Sequence, residues 1–221
     1  MNSVILNKTY PAPPFCEKEI LRYAGCKSTD NETHKLLADC INEAQDKLTY
    51  KVCYRELPVT VKGDICDFGT FKAQSQSLSK NLENCDCVIL FGATVGVGID
   101  RLIAKYGRIS PARALMLQAI GAERIEALCD AFCEDIQNTL GIGLKPRFSP
   151  GYGDLPLDTQ KDIFALLDCS KRIGLTLNSS LLMSPSKSVT AVIGLTNKKE
   201  NATTNKCALC DKKDCTFRGA L

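Results

Sequence analysis

SPARALMLQAIGAERIEALCDAFCEDIQNTLG, residues 110–141, is the stretch on which the fold turns. Ser110-Pro111 is a helix start, with Ser as N-cap and Pro in the first turn, where a missing N–H costs nothing. Leu115, Ala119, Ile125, Leu128, Phe132 and Ile136 then recur as apolar positions, and Gly141 supplies the stop. The spacing therefore predicts one helix from Ser110 to Leu140. A helix of this length spans a whole domain, and we expect it to back a sheet.

Upstream, Thr29-Asp30-Asn31 offers N-caps for a first helix carrying Leu36, Leu37, Cys40, Ile41, Ala44 and Leu48. Lys51 to Val61 reads as a strand with Val52 and Tyr54 on one face. Lys62-Gly63-Asp64 is a turn, and Ile65, Phe68 and Phe71 continue an extended pattern. Ser77 to Leu82 reads as a short helix, and Cys87 to Phe91 as a central strand. Gly92, Gly96 and Gly98 follow, then a helix marked by Ile99, Leu102, Ile103 and Tyr106. These glycines imitate a dinucleotide fingerprint, but the third glycine is replaced by Arg101 and no acidic residue follows a second strand. A tight strand-to-helix turn is the better reading. Downstream, residues 141–157 form a loop. Asp158 or Thr159 caps a helix through Ile163, Leu166, Leu167 and Ile173, ended by Gly174. Leu175 and Leu177 begin an extended segment, and Ser188 to Leu195 is a last strand. Long helices alternating with short strand pairs make the chain α+β.

The 221 residues suit one domain with a small appendix. With 28 basic and 25 acidic residues, the chain lacks the concentrated basic face of a nucleic-acid binder. No run of apolar residues is long enough for a membrane span and no secretory signal is evident, so we expect a cytoplasmic protein. The 13 cysteines are then thiols or metal ligands rather than a disulfide framework, as in a strongly reducing cell. Cys40, Cys129 and Cys133 fall on helical core faces, and Cys85 and Cys87 flank Asp86 at the start of a buried strand.

The loop after the long helix holds Arg147-Phe148-Ser149-Pro150-Gly151-Tyr152. Arginine presents a fork that matches a carboxylate. Pro150-Gly151 turns the chain sharply and lets a ligand approach the backbone. Tyr152 offers a π face to a cation. A ligand with a carboxylate and a positive centre, such as S-adenosylmethionine (SAM), suits this loop; a surface turn with Tyr152 packed on the body is the bland alternative.

Arg147, Gly151, Tyr152 and Pro156 resemble the SAM-binding loop, R-x-x-x-G-Y-x-x-x-P-D-H, of the activation domain of cobalamin-dependent methionine synthase. Leu157 and Asp158 stand where that pattern has Asp and His. Residues 88–103, the segment from Met183 to Thr190 and Glu19-Ile20-Leu21-Arg22-Tyr23 are similar to the same family, so the resemblance covers about residues 15 to 196. It is nearest to free-standing, single-domain versions. It implies a curved, mainly antiparallel sheet packed with long helices. It implies a subunit that binds SAM and supports reductive methylation of cob(II)alamin on a partner, a cobalamin-binding methionine synthase or other corrinoid protein. A flavodoxin- or ferredoxin-type donor would supply the electron. Because the corrinoid supplies the nucleophile, no catalytic side chain is required. Arg147 would meet the SAM carboxylate, with Tyr152 beside the adenosyl or sulfonium part, Gly151 allowing close approach and backbone near Ser149 bonding the ligand. Asp154 would attract the ammonium or sulfonium, and Ser186, Lys187 and Ser188 would line the opposite wall.

Residues 197–206 read as a polar linker after a 1–196 domain, and residues 207–221 as a cysteine-rich tail. Cys207, Cys210 and Cys215 form C-x2-C-x4-C, which lets thiolates converge on zinc or a four-iron iron–sulfur cluster. The tail has no fourth Cys and no His; the chain's one histidine is His34. The lack of His and the electron-transfer setting tilt the choice toward iron–sulfur. The competing reading is an electron-transfer or zinc-stabilised interaction protein for a corrinoid methyltransferase, in which the Arg147 loop is only structural.

Overall fold

The run from Cys87 to Thr94 carries apolar side chains on both faces, so it is stable only with both faces covered. A computed structural model, describing residues 4–26 and 30–196, shows how the chain covers them. In chain order the elements are β1 (Leu6–Thr9), α1 (Glu17–Tyr23), α2 (Asn31–Ala44), β2 (Lys51–Pro58), β3 (Thr60–Lys62), β4 (Ile65–Asp67), β5 (Lys72–Gln74) and α3 (Gln76–Asn81). They continue with β6 (Cys87–Thr94), α4 (Gly98–Tyr106), α5 (Pro111–Leu140), β7 (Gly143–Leu144), α6 (Thr159–Leu167), α7 (Cys169–Ile173), β8 (Thr176–Leu177), β9 (Met183–Ser184) and β10 (Ser188–Thr196).

Strand β6 lies at the centre of a five-stranded antiparallel sheet ordered β1-β2-β6-β10-β7. It pairs with β2 from Lys51↔Thr94 to Pro58↔Cys87, and with β10 from Ser188↔Thr94 to Leu195↔Cys87. Alternation then feeds two cores. Val52, Ile89, Phe91, Ala191 and Ile193 face the helices α1, α2, α4 and α5. Cys53, Leu57, Val88, Leu90 and Val192 face α3, α6, α7 and the small β3-β4-β5 sheet. The chain is thus α+β, with a curled antiparallel sheet and helices on it.

Helix α5 backs the sheet with its apolar face and joins α1, α2 and α4 in one core. Phe132 packs its ring 4.9 Å from Phe91 and 5.2 Å from Tyr54, and Gly141 closes the helix at φ 66°. Arg124, fully buried on the same helix, donates to the carbonyls of Pro13 at 2.5 Å and Pro14 at 2.7 Å and lies 4.0 Å over the Phe15 ring. Its partner Glu123 accepts the Cys16 N–H at 3.3 Å, so one buried ion pair fastens the N-terminal arm to the long helix.

Several local expectations change. Leu115 is exposed, because it falls on the solvent side of the first turns of α5. Ser110 sits at the N-cap, but its side chain makes no capping bond. The helix expected through 158–173 is two helices, broken where Asp168 adopts a left-handed conformation at φ 49°. Asp158 pairs with Lys161 instead of capping α6. Helix α1 was not visible as a helix in the periodicity. By contrast, Asp30 caps α2 through Thr33 N–H at 2.8 Å, and Gly96, at φ 81°, makes the tight turn between β6 and α4. No helix among the described residues is long and apolar enough to cross a membrane.

Gly98 opens α4 against backbone: a Cβ there would stand 2.0 Å from the Lys47 carbonyl oxygen. Gly98→Ala is expected to lose about 1–3 kcal/mol of stability, the range for overpacking, read as a lower urea midpoint at unchanged slope.

Candidate functional site

Residues 143–148 run along the outer edge of β10. Strand β7 pairs with Leu195 and Thr196, Lys145 N–H donates to Gly194 at 2.8 Å, and Phe148 and Val192 exchange two bonds of 2.9 Å. Alternation along this edge sends Phe148 into the α6 side of the core and Arg147 toward α5. The Arg147 side chain is only 11% exposed. Its fork donates to Asp130 at 2.6 Å and to Glu126 at 2.9 Å, and the same Nη1 lies 3.7 Å from the Cys133 sulfur. Burial opposes its charge, yet Cys129, Asp130, Cys133 and Glu126 together hold its pKa above the ordinary arginine value.

Beyond Phe148 the chain turns back. Tyr152 N–H donates to Ser149 at 3.1 Å, Gly151 N–H to Leu155 at 2.9 Å, and Leu155 N–H to Tyr152 at 3.0 Å. Gly151 has φ 88°, a conformation that side-chain-bearing residues rarely adopt. Pro150 is buried beneath the turn, Ser149 is half-buried, and Tyr152 is 70% exposed. The bland expectation, Tyr152 packed on the body, is therefore not what the structure has.

Asp154 is engaged elsewhere. Its carboxylate accepts from the Ser75 hydroxyl at 2.5 Å, Gln76 N–H at 2.7 Å and Ser77 N–H at 3.1 Å, at the start of α3. The Ser75 bond, with those two N–H groups, holds its pKa well below the usual carboxylate range. This carboxylate shapes the loop by tying it to a helix N-terminus. The Ser186 hydroxyl and N–H both donate to Asp100. Ser188 is buried, with its hydroxyl 2.8 Å from Thr94 Oγ1 and 2.8 Å from the Pro185 carbonyl oxygen. Lys187 is half-buried with its stem over Gly121 of α5, and burial pushes its pKa down.

Lys187 meets α5 at Gly121, whereas Arg147 meets it at Glu126 and Asp130. At 3.6 residues per turn those positions lie about 140–180° apart around the helix, so the two cations do not share one face of α5. Val192 gives both backbone groups to Phe148, so strand alternation turns those of Thr190 the same way, where no strand among the described residues pairs with them. Glu126 and Asp130 were not singled out in the sequence. Their signal was available: like charges at i, i+4 repel on a helix face, and such a pair calls for a cation.

A cavity of about 440 Å³, lined by Lys161, Phe164, Asp168, Cys169, Ser170 and Leu177 among others, lies on the other side of the sheet. Cys207, Cys210 and Cys215 lie outside the described residues. Among the described residues no three metal-ligating side chains gather.

The family model of the vitamin B12-dependent methionine synthase activation domain matches residues 141–216, which contain the Arg147 loop, β10 and all three tail cysteines. The fold matches the crystal structure of the MetH reactivation domain bound to AdoHcy, with TM-score 0.64 and 15% identity over 88% of this chain and 79% of that one. No curated protein matches the chain in sequence. The chain thus resembles the activation domain in sequence over its C-terminal third and in fold over most of its length.

Asp154 gives the loop a pH signature. Its depressed pKa means that its contribution is complete above the ordinary carboxylate range near ~4 and fades as the pH falls below it. Asp154→Asn is expected to unfold at lower urea than the wild type at pH 7, with the gap shrinking as the pH is taken below about 4.

Proposed function

We propose that this protein binds SAM through the Arg147 loop and presents its methyl group to the cobalamin of a partner methionine synthase or related corrinoid protein. The observation that carries this reading is the buried Arg147 fork, set between two carboxylates at the foot of an exposed, glycine-turned aromatic loop. Such an arrangement is complementary to a zwitterion. The guanidinium takes a carboxylate, and Glu126 and Asp130 favour an ammonium or sulfonium close by. This pair supplies the negative charge that the sequence had suggested for Asp154. The family match over 141–216 supports the same reading.

SAM supplies the methyl group which, with one electron, returns an oxidised cobalamin to service. The chain's own part is proximity and orientation. Arg147 fixes the amino-acid end. Tyr152, standing free, covers the adenosyl or sulfonium part from above. Gly151 and the backbone at Ser149 allow close approach, while Lys187, seated at Gly121, stands on a different face of α5. Ser188 and Asp154 act by holding β10 and the loop in place.

Arg147→Ala is expected to lose SAM binding while unfolding cooperatively like the wild type. A charge-assisted pair of about 1.5–3 kcal/mol corresponds to an affinity loss of roughly 10- to 150-fold by calorimetric titration. Glu126→Gln is expected to weaken SAM severalfold and to spare an uncharged nucleoside such as adenosine. Wild-type affinity for SAM in the Arg147 variant would sink the assignment.

For the tail, the family match extends through Cys215, which favours treating it as part of the module. We propose that Cys207, Cys210 and Cys215 hold zinc or an iron–sulfur cluster, completed by a ligand from elsewhere. Removing residues 206–221 is expected to abolish bound metal in anaerobically purified protein, measured by elemental analysis. SAM binding is expected to remain if the tail serves electron transfer.

A further inference from the structure

Ten cysteines fall among the described residues, and two of them from distant parts of the chain have their sulfurs in contact. Cys53 of β2 and Cys169 at the start of α7 place their sulfurs 3.8 Å apart, both side chains fully buried. The pair fills a gap left by Gly92, which lies opposite Cys53 in the β2–β6 register. A Cβ on Gly92 would stand 3.1 Å from the Cys169 sulfur and 3.6 Å from that of Cys53. Three elements thus leave room for two sulfurs and nothing more.

Packing alone does not account for the surroundings. Cys169 follows the left-handed Asp168, where the chain breaks between α6 and α7, and α7 has five residues. Both Asp168 and Cys169 line the open cavity of about 440 Å³ on that side of the sheet. Cys169 begins this short helix at the cavity wall, so it is the member of the pair that a local shift of α7 brings to a small molecule in the cavity. By contrast, Cys53 sits in mid-strand, paired on both sides by β1 and β6. One thiol therefore borders the cavity and the other is fixed behind it, the usual layout of an attacking and a resolving thiol.

We propose that Cys53 and Cys169 form a dithiol that a small disulfide or similar thiol oxidant converts to an intrachain disulfide joining β2 to α7. In the first step the pair loses one proton to solvent, and the Cys169 sulfur, with the remaining proton held on Cys53, attacks one sulfur of the oxidant, RS–SR. A mixed disulfide forms and RS⁻ leaves. In the second step the Cys53 sulfur, losing its proton to RS⁻ or solvent, attacks the Cys169 sulfur and displaces the second RS⁻. Two thiols are oxidised by two electrons, and one RS–SR is reduced to two RSH. In the structure Cys53 donates its S–H to the Cys169 sulfur, which favours a thiolate on Cys169, so the pair gives up its first proton more readily than two isolated buried thiols. This site lies across the sheet from Arg147 and does not depend on the SAM reading.

The test is to incubate the anaerobically purified full chain with glutathione disulfide. Remaining thiols are then alkylated under denaturing conditions and the digest mapped by mass spectrometry. The expected result is a linked peptide pair containing Cys53 and Cys169, two hydrogens lighter than the free peptides and restored by dithiothreitol. It should form ahead of any link involving the other buried cysteines, Cys40, Cys66, Cys85 and Cys129. Cys53→Ala is expected to leave Cys169 glutathionylated, trapping the mixed disulfide. Recovery of both Cys53 and Cys169 as alkylated thiols, while exposed cysteines such as Cys16 are oxidised, would overturn the proposal.

Discussion

The structure depends on the pairing of β6 with β10. Eight consecutive registers, Ser188↔Thr94 to Leu195↔Cys87, join two strands whose side chains are buried on both faces. That pairing places one core above the sheet and another below it. It also leaves β10 with a free outer edge. The chain emerging from α5 takes part of that edge through β7 and Phe148, and strand alternation then settles where Arg147 goes. A slip of one residue would turn Arg147 into the α6 core and Phe148 toward Glu126 and Asp130. Binding chemistry on this loop is thus set by main-chain hydrogen bonds in the sheet.

Helix α5 is the second wall of the same site. Its buried face holds the sheet through Phe132, and the Glu123–Arg124 pair holds the N-terminal arm. Its edge toward the loop shows Glu126 and Asp130, which meet Arg147, while Gly121 on another face admits the stem of Lys187. Burying a guanidinium to this depth is tolerable only because two carboxylates face it. The same charges give the site a mixed character suited to an amino-acid ligand.

Much of this was legible in the sequence, and what was not has physical reasons. The long helix, the central strand and the last strand announce themselves because each carries a long periodic or continuous apolar run. The break at Asp168 is silent, since an aspartate in a left-handed conformation leaves the apolar spacing of Ile163, Leu167 and Ile173 undisturbed. Helix α1 is silent because it has seven residues and is held by tertiary contacts with α5. The loop motif pointed to Arg147, Gly151 and Tyr152. The partners of Arg147 lie 17 and 21 residues before it, and only the return of the chain along β10 brings them together. Asp154 was read as a charge for a ligand because sequence shows a charge but not the three donors that already claim it.

The most direct measurement of the central claim is amide hydrogen exchange with and without S-adenosylhomocysteine, the demethylated product of SAM. Slowed exchange is expected in the turn at Gly151 and Tyr152 and at Phe148 beside Arg147, with little change in α6 and α7. Protection confined to the cavity between α6, α7 and β8, or none anywhere, would contradict a ligand site built on Arg147.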